Sequence, residues 1–189
     1  MSIEDRAEAE MDGQKDKSIA TVLVEIAQDL YTFGISATGE TFALPKKGPR
    51  VVIMLRGSKL SLRNQLARLY FQRAGRTAPQ QALADALLVI EGKAQEAEVS
   101  ELYLRVARLK EDLWLDLGDS TGQAVKITGD GWAIEEPPVL FKRTALNGPL
   151  PHPASGSLND LWSLLNVSSG DRPLVAAWLV AALYHDIPH

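Results

Sequence analysis

The sequence predicts an α+β fold, and three observations carry that prediction. Between Ile19 and Leu30 the apolar residues recur at helical spacing. Two more helical stripes, Leu62 to Tyr70 and Leu83 to Ile90, flank the stop Ala74-Gly75-Arg76. From about Ala97 the apolar period drops to two, in short runs divided by Gly, Asp and Pro. The expected order is an N-terminal helix, a small antiparallel sheet and an αα-hairpin, then a five-stranded antiparallel β-meander, then two C-terminal helices. In domain terms, residues 1–17 form a disordered acidic tail, 18–97 a basic α+β lobe, 98–145 the meander, and 146–189 a linker with helices.

Taken in order, the first helix shows Ile19, Val22, Leu23, Ile26 and Leu30 on one stripe, with Ser18 placed to cap and an end near Gly34. The β-prone runs Tyr31–Ser36, Thr41–Leu44 and Arg50–Leu55 follow, with Thr38-Gly39 and Lys47-Gly48-Pro49 as turns. Ser61 opens the second helix, whose stripe is Leu62, Leu66, Leu69 and Tyr70. Thr77 and Gln80 have capping-box spacing for a third, with Leu83, Ala86, Leu87 and Ile90 facing the core. A short Gly-containing turn between the two helices suits an αα-hairpin or a helix-turn-helix.

In the meander, the runs Leu102–Leu109, Leu113–Leu117, Gln123–Ile127, Trp132–Glu135 and Val139–Arg143 read as strands. Residues 110–112, 118–122, 128–131 and 136–138 supply the turns. Leu113, Leu115 and Leu117 alternate with Trp114 and Asp116. Residues 147–156 are a Pro/Gly/Ser linker, 158–165 a short helix, and Asp171 caps a last helix that tolerates Pro173 in its first turn. From Leu174 to Leu183 that helix is apolar all round, a pattern that ordinarily needs cover on every side.

Charge is the sharpest signal in the chain. Thr41 to Ala84 holds nine Lys or Arg residues and no Asp or Glu, so a net charge of −4 divides as −6, +9 and −7 along the sequence. A basic island in an acidic chain suits a surface that meets polyanions, nucleic acid first. The candidate nucleic-acid-binding residues are Lys46, Lys47, Arg50, Arg56, Lys59, Arg63, Arg68 and Arg76. Arg73 falls on the apolar stripe near the helix end. Arg63, Arg68 and Arg73 step by about 140° around a helix and share no face, so an interface needs the loop cations to converge with Arg63 or Arg68. Contacts would be to phosphates and salt-sensitive, with little base reading. A solvated basic face is the plainer alternative.

The chemistry of known catalytic motifs is missing from the pattern. There is no cysteine, hence no disulfide frame or thiolate metal site, and this fits the cytoplasm. His152, His185 and His189 lack metal-ligand spacing. No nucleophile elbow or P-loop occurs; Gly57-Ser58-Lys59 is a fragment of the latter. Asp116, Asp119 and Asp130 lie near turns of the meander, where turn geometry accounts for Asp119 and Asp130 without a metal. No catalytic residue and no metal ligand is therefore assigned. Trp114, Trp132, Trp162 and Trp178 sit in apolar patterns and read as core. The longest apolar run, Pro173 to Tyr184, is too short to span a membrane, so a soluble protein is expected.

Several segments together carry a resemblance. They are Leu102-Tyr103-Leu104-Arg105-Val106-Ala107, Leu113-Trp114-Leu115-Asp116-Leu117-Gly118, Gly131-Trp132, Pro138-Val139-Leu140-Phe141-Lys142-Arg143, Leu164-Leu165-Asn166-Val167 and Ala177-Trp178-Leu179-Val180-Ala181-Ala182-Leu183. The helices around Leu66-Ala67-Arg68-Leu69-Tyr70 and Ala82-Leu83-Ala84-Asp85-Ala86-Leu87 join them. In order and spacing the chain resembles the region upstream of the P-loop in bacterial, phage and mobile-element ATP-binding proteins related to the D5-like primase-helicases. The resemblance spans roughly residues 18–189 and carries over no catalytic residue. It implies a non-catalytic region leading into an ATPase domain that follows it, so this chain holds no cofactor, and ATP and Mg would belong to that downstream domain. The implied partners are nucleic acid, the chain's own downstream ATPase domain and further copies in a homo-oligomer, with no membrane. The expected function is to contribute nucleic-acid contact near a replication motor. The alternative is an interaction or oligomerisation module that assembles the ATPase without touching nucleic acid. A self-contained hydrolase or nuclease is disfavoured, since no residue constellation supports one.

Overall fold

The computed structural model describes residues 17–57, 59–144 and 148–184. The predicted acidic tail, up to residue 16, lies outside the described residues. The fold is α+β, with a helix first and two helices last. It divides into two units: the described residues through Gly48 with Val52–Ser100, and Pro49–Val51 with the described residues from Glu101 onward.

In the first unit, helix α1 (Ile19–Leu30) starts where Ser18 Oγ accepts the Thr21 N–H at 3.1 Å. That bond satisfies an amide that no helical carbonyl reaches. The helix ends at Leu30 rather than near Gly34. Tyr31 is already extended, and β1 (Tyr31–Ser36) pairs at once with β2 (Thr41–Pro45), so sheet bonding claims these residues. Strand β3 (Ile53–Met54) pairs antiparallel with β2. Helices α2 (Leu62–Ala74) and α3 (Gln80–Gln95) then return the chain to β4 (Val99–Ser100), which runs parallel to β1. The sheet order is β3-β2-β1-β4, so the expected antiparallel sheet gains one parallel edge strand.

The helical hairpin forms as expected, with a different cap. Gly75 takes the left-handed conformation (φ 65°) and its N–H closes α2 on the Phe71 carbonyl. The capping box at Thr77 and Gln80 does not form. Pro79 occupies the cap position and its carbonyl takes the Leu83 N–H at 3.1 Å, which leaves Thr77 two residues outside the helix. Leu23, Ile26 and Ala27 of α1, Leu62, Leu66 and Tyr70 of α2, and Leu83, Ala86, Leu87 and Ile90 of α3 bury together over Ala43. These are the helical stripes read from the sequence. On β1, Gly34 lies opposite Phe42, and a Cβ there would come within 2.5 Å of the Phe42 ring. The glycine makes room for that ring.

In the second unit, β6 (Val106–Leu109), β7 (Asp112–Asp116), β8 (Ala124–Thr128) and β9 (Gly131–Glu135) form a four-stranded antiparallel meander. The expected fifth strand does not extend it. The segment β10 (Leu140–Phe141) pairs instead, in parallel, with β5 (Leu102–Tyr103). Pro137 and Pro138 explain why: with no N–H to donate, they cannot continue a hairpin along the edge of β9. The single strand expected over Leu102–Leu109 is likewise split at Leu104 and Arg105.

The meander's buried face is the Trp114/Asp116 face, with Leu113 and Leu115 only half buried. Trp114 packs with Ala107, Ala124 and Phe141, and with Tyr103 and Val139 beside them. Among the tryptophans, Trp114 is core as expected. Trp132, on the edge strand β9, is 52% exposed, and Trp178 is 58% exposed. Helix α4 (Leu158–Leu164) is capped by Ser157, whose Oγ accepts the Asn159 N–H. Helix α5 (Arg172–Ala181) has Pro173 in its first turn and Asp171 as N-cap residue, but the Asp171 carboxylate accepts from Ser168 Oγ instead of capping. The Arg172 guanidinium lies 5.7 Å over the Trp162 ring. Helix α5 buries no residue, and Leu174 is 70% exposed.

Candidate nucleic-acid interface

The basic residues predicted from sequence divide by whether the fold already uses them. Lys46 follows β2, where its Nζ donates to the Gln28 carbonyl at 2.5 Å and its N–H to the Leu30 carbonyl at 2.9 Å. It therefore closes the last turn of α1, where a cation also suits the helix dipole. Arg56 binds Glu91 of α3 through both arms, Nε to Oε1 at 2.5 Å and the terminal nitrogen to Oε2 at 3.1 Å. Its charge is thus matched within the unit. Arg76 donates to the Tyr70 hydroxyl at 3.3 Å, a neutral partner that leaves its charge unmatched.

Lys47, Lys59, Arg63 and Arg68 have no ion pair among the described residues, and neither has Arg73. Lys59 sits in the turn before α2, and the three arginines lie along α2 itself, a helix without a single Asp or Glu. Arg63 is half buried; Arg68 and Arg73 are exposed. Arg68 also reaches Tyr31 electrostatically. Burial pushes the Tyr31 phenol above its usual value of 10.0, and the Arg68 charge partly opposes that rise. The Tyr31 hydroxyl donates to Gln65 Oε1 at 2.8 Å, which fixes this junction of β1 and α2. Arg50 belongs to the second unit and is set apart from the candidates of the first.

The outward side of α2 carries one residue that charge reasoning passed over. With Leu62, Leu66 and Tyr70 as the inner line, 100° per residue puts Asn64, Arg68 and Phe71 within about 40° of the opposite line. Phe71 is 54% exposed. Its signal in the sequence was its place three residues after Arg68, which makes the two neighbours on a helix.

In the second unit the polar groups form a knot rather than an open site. Asp116 is 1% exposed and takes two bonds from Arg143, at 2.9 Å from Nε and 2.6 Å from a terminal nitrogen. Arg143 also donates to the Asp119 carbonyl. Arg105 donates to the carbonyls of Asp116 (3.1 Å) and Gly148 (2.8 Å). Gly118, at φ 70°, lets this happen: a Cβ there would come within 2.7 Å of the Arg105 guanidinium. The Asp119 carboxylate accepts the Thr121 hydroxyl at 2.5 Å and N–H at 2.9 Å, and lies 3.6 Å from His152. The Thr121 hydroxyl chiefly holds Asp119 below the ordinary carboxylate value; burial opposes the shift, while the Thr121 N–H, His152 and Arg143 add to it. Asp130 is exposed in the β8–β9 turn, away from this knot in the chain. Among the described residues no group of three His, Cys or carboxylate side chains gathers as a metal site would. A groove of about 340 Å³ runs along Glu101 to Val106, bordered by Ala182 and Tyr184. Within it the Tyr103 hydroxyl donates to Glu101, and burial with that bond pushes its pKa up to about 12. No helix among the described residues is long and apolar enough to cross a membrane.

Compared with protein-family models, with curated proteins and with solved structures, the chain finds no match in any of the three.

Proposed function

We propose that this chain is a non-catalytic nucleic-acid-contacting region of a replication-type ATPase or helicase, and that α2 with its preceding turn supplies the contact. One observation supports it most. Lys59, Arg63, Arg68 and Arg73 carry charge that no carboxylate among the described residues neutralises, on a helix that has no acid of its own. Cations left unmatched inside an acidic chain raise the local potential and favour a polyanion. Lys46 and Arg56 serve the fold, so within the first unit the contact set narrows to Lys47, Lys59, Arg63, Arg68 and Arg76. The motor itself, with its ATP and Mg, belongs to the part of the proposal that rests on the family resemblance. A Walker A loop encoded beyond His189 is what that part requires.

The test is binding to a labelled oligonucleotide by fluorescence anisotropy. Arg63→Glu/Arg68→Glu abolishes binding under this reading, whereas Lys46→Met, which removes a helix-closing bond, lowers stability more than affinity. Equal binding by wild type and the double charge reversal contradicts it.

A second reading, assembly without nucleic acid, draws on α5. Leu174, Trp178 and Val180 are each more than half exposed on that helix. Leu174 and Trp178 stand one turn apart on one face, and grouped exposed apolar side chains mark protein contacts more often than scattered ones do. Light scattering that gives more than one chain for wild type and one for Leu174→Glu/Trp178→Glu, with no oligonucleotide bound by either, supports this reading over the first.

A further inference from the structure

We infer that the α2 surface takes single-stranded rather than duplex nucleic acid, with Phe71 as the platform on which a base stacks. This rests on the nucleic-acid reading above and deepens it. Phe71 is 54% exposed, while the other described aromatic side chains of its unit, Tyr31, Phe33, Phe42 and Tyr70, are buried or half buried. An exposed ring gains nothing from water, and this one has a cation beside it on the helix surface. Arg68 stands one turn before it, about 60° away around the helix and hence a neighbour on the surface. Arg73, two residues later, lies about 160° around the helix and is no neighbour of the ring; the helix carries no carboxylate to repel phosphates.

A π face beside an unmatched guanidinium is the arrangement that binds unpaired bases, the ring taking a base and Arg68 a flanking phosphate. A duplex hides its base faces in the stack and offers the Phe71 ring no face to stack on. The other two exposed rings lack the electrostatics. Trp132 lies between Asp130 and the Glu135-Glu136 pair, and Trp178 stands in an uncharged stretch of α5. Charge complementarity therefore singles out Phe71.

The experiment compares a labelled oligo-dT with a labelled duplex, by anisotropy at fixed salt, for wild type, Phe71→Ala and Phe71→Trp. The expected result is tighter binding of the single strand by wild type. Phe71→Ala loses roughly tenfold in single-strand affinity, with duplex affinity unchanged, and Phe71→Trp keeps or improves it. Wild type that favours the duplex, or Phe71→Ala that binds oligo-dT as wild type does, overturns the stacking inference while leaving phosphate contact by the arginines intact. Absence of binding to either probe overturns both.

Discussion

Asp116 shows what a single buried carboxylate does in this protein. At 1% exposure it is held by Arg143, whose own side chain is 16% exposed. A buried ion pair is costly to break from one side, because the survivor keeps its desolvation cost without its partner. Asp116→Ala should therefore destabilise the second unit by about 3–5 kcal/mol in urea unfolding, whereas Asp116→Leu/Arg143→Met should fall far closer to wild type. Equal losses in the two variants would show that the pair does not act as a unit. Asp119 makes a pH prediction. Its folded-state pKa is lowered from 3.8, so the stability it contributes is present above that value and disappears as pH falls through the lowered one. Thr121→Val removes the chief cause, the hydroxyl bond. Its melting temperature should lie below wild type at neutral pH, and the gap should narrow under acid conditions. A gap constant with pH would place the effect elsewhere.

Among the elements, β1 and α2 repay closest attention. Gly34 sits under the Phe42 ring, 1% exposed, so Gly34→Ala must displace a packed aromatic. A loss of about 1–3 kcal/mol is expected in thermal or urea unfolding, as for other overpacked sites. The Arg56–Glu91 pair is a contrast. Arg56 is half exposed, and its truncation to Ala should cost no more than about 1 kcal/mol despite its two bonds to Glu91. What the sequence made legible at this scale follows from periodicity. The stripes of α1, α2 and α3 are dictated by side chains on the helices themselves, and all three bury as read. The failures occur where a distant residue decides. Tyr31 to Ser36 can be read as helix end or strand until β2 is seen to pair with it. Thr77 and Gln80 have the right spacing for a cap, yet Pro79 stands nearer the helix. The run Val139–Arg143 is β-prone, but its partner, Leu102–Tyr103, lies far back in the chain, beyond any local pattern.

For the molecule as a whole, charge distribution was readable and charge use was not. The +9 segment is plain from composition. That Lys46 closes a helix and Arg56 meets Glu91 depends on chain crossings that no local count reveals. Conversely, the sequence placed Asp116 only in an apolar run near a turn, and Arg143 is the partner that lets it be buried. The apolar character of α5 was legible, and its side chains are exposed in this structure, as a helix apolar on all sides would be without cover. The central claim is that the unmatched arginines of α2 meet a polyanion. Its most direct measurement is the slope of log affinity against log salt for a single-stranded oligonucleotide, in wild type and in Arg68→Ala. The account predicts affinity that falls steeply with salt, and a slope shallower by about 0.7 in the variant, one phosphate contact fewer. Identical slopes in the two proteins, or binding indifferent to salt, would contradict it.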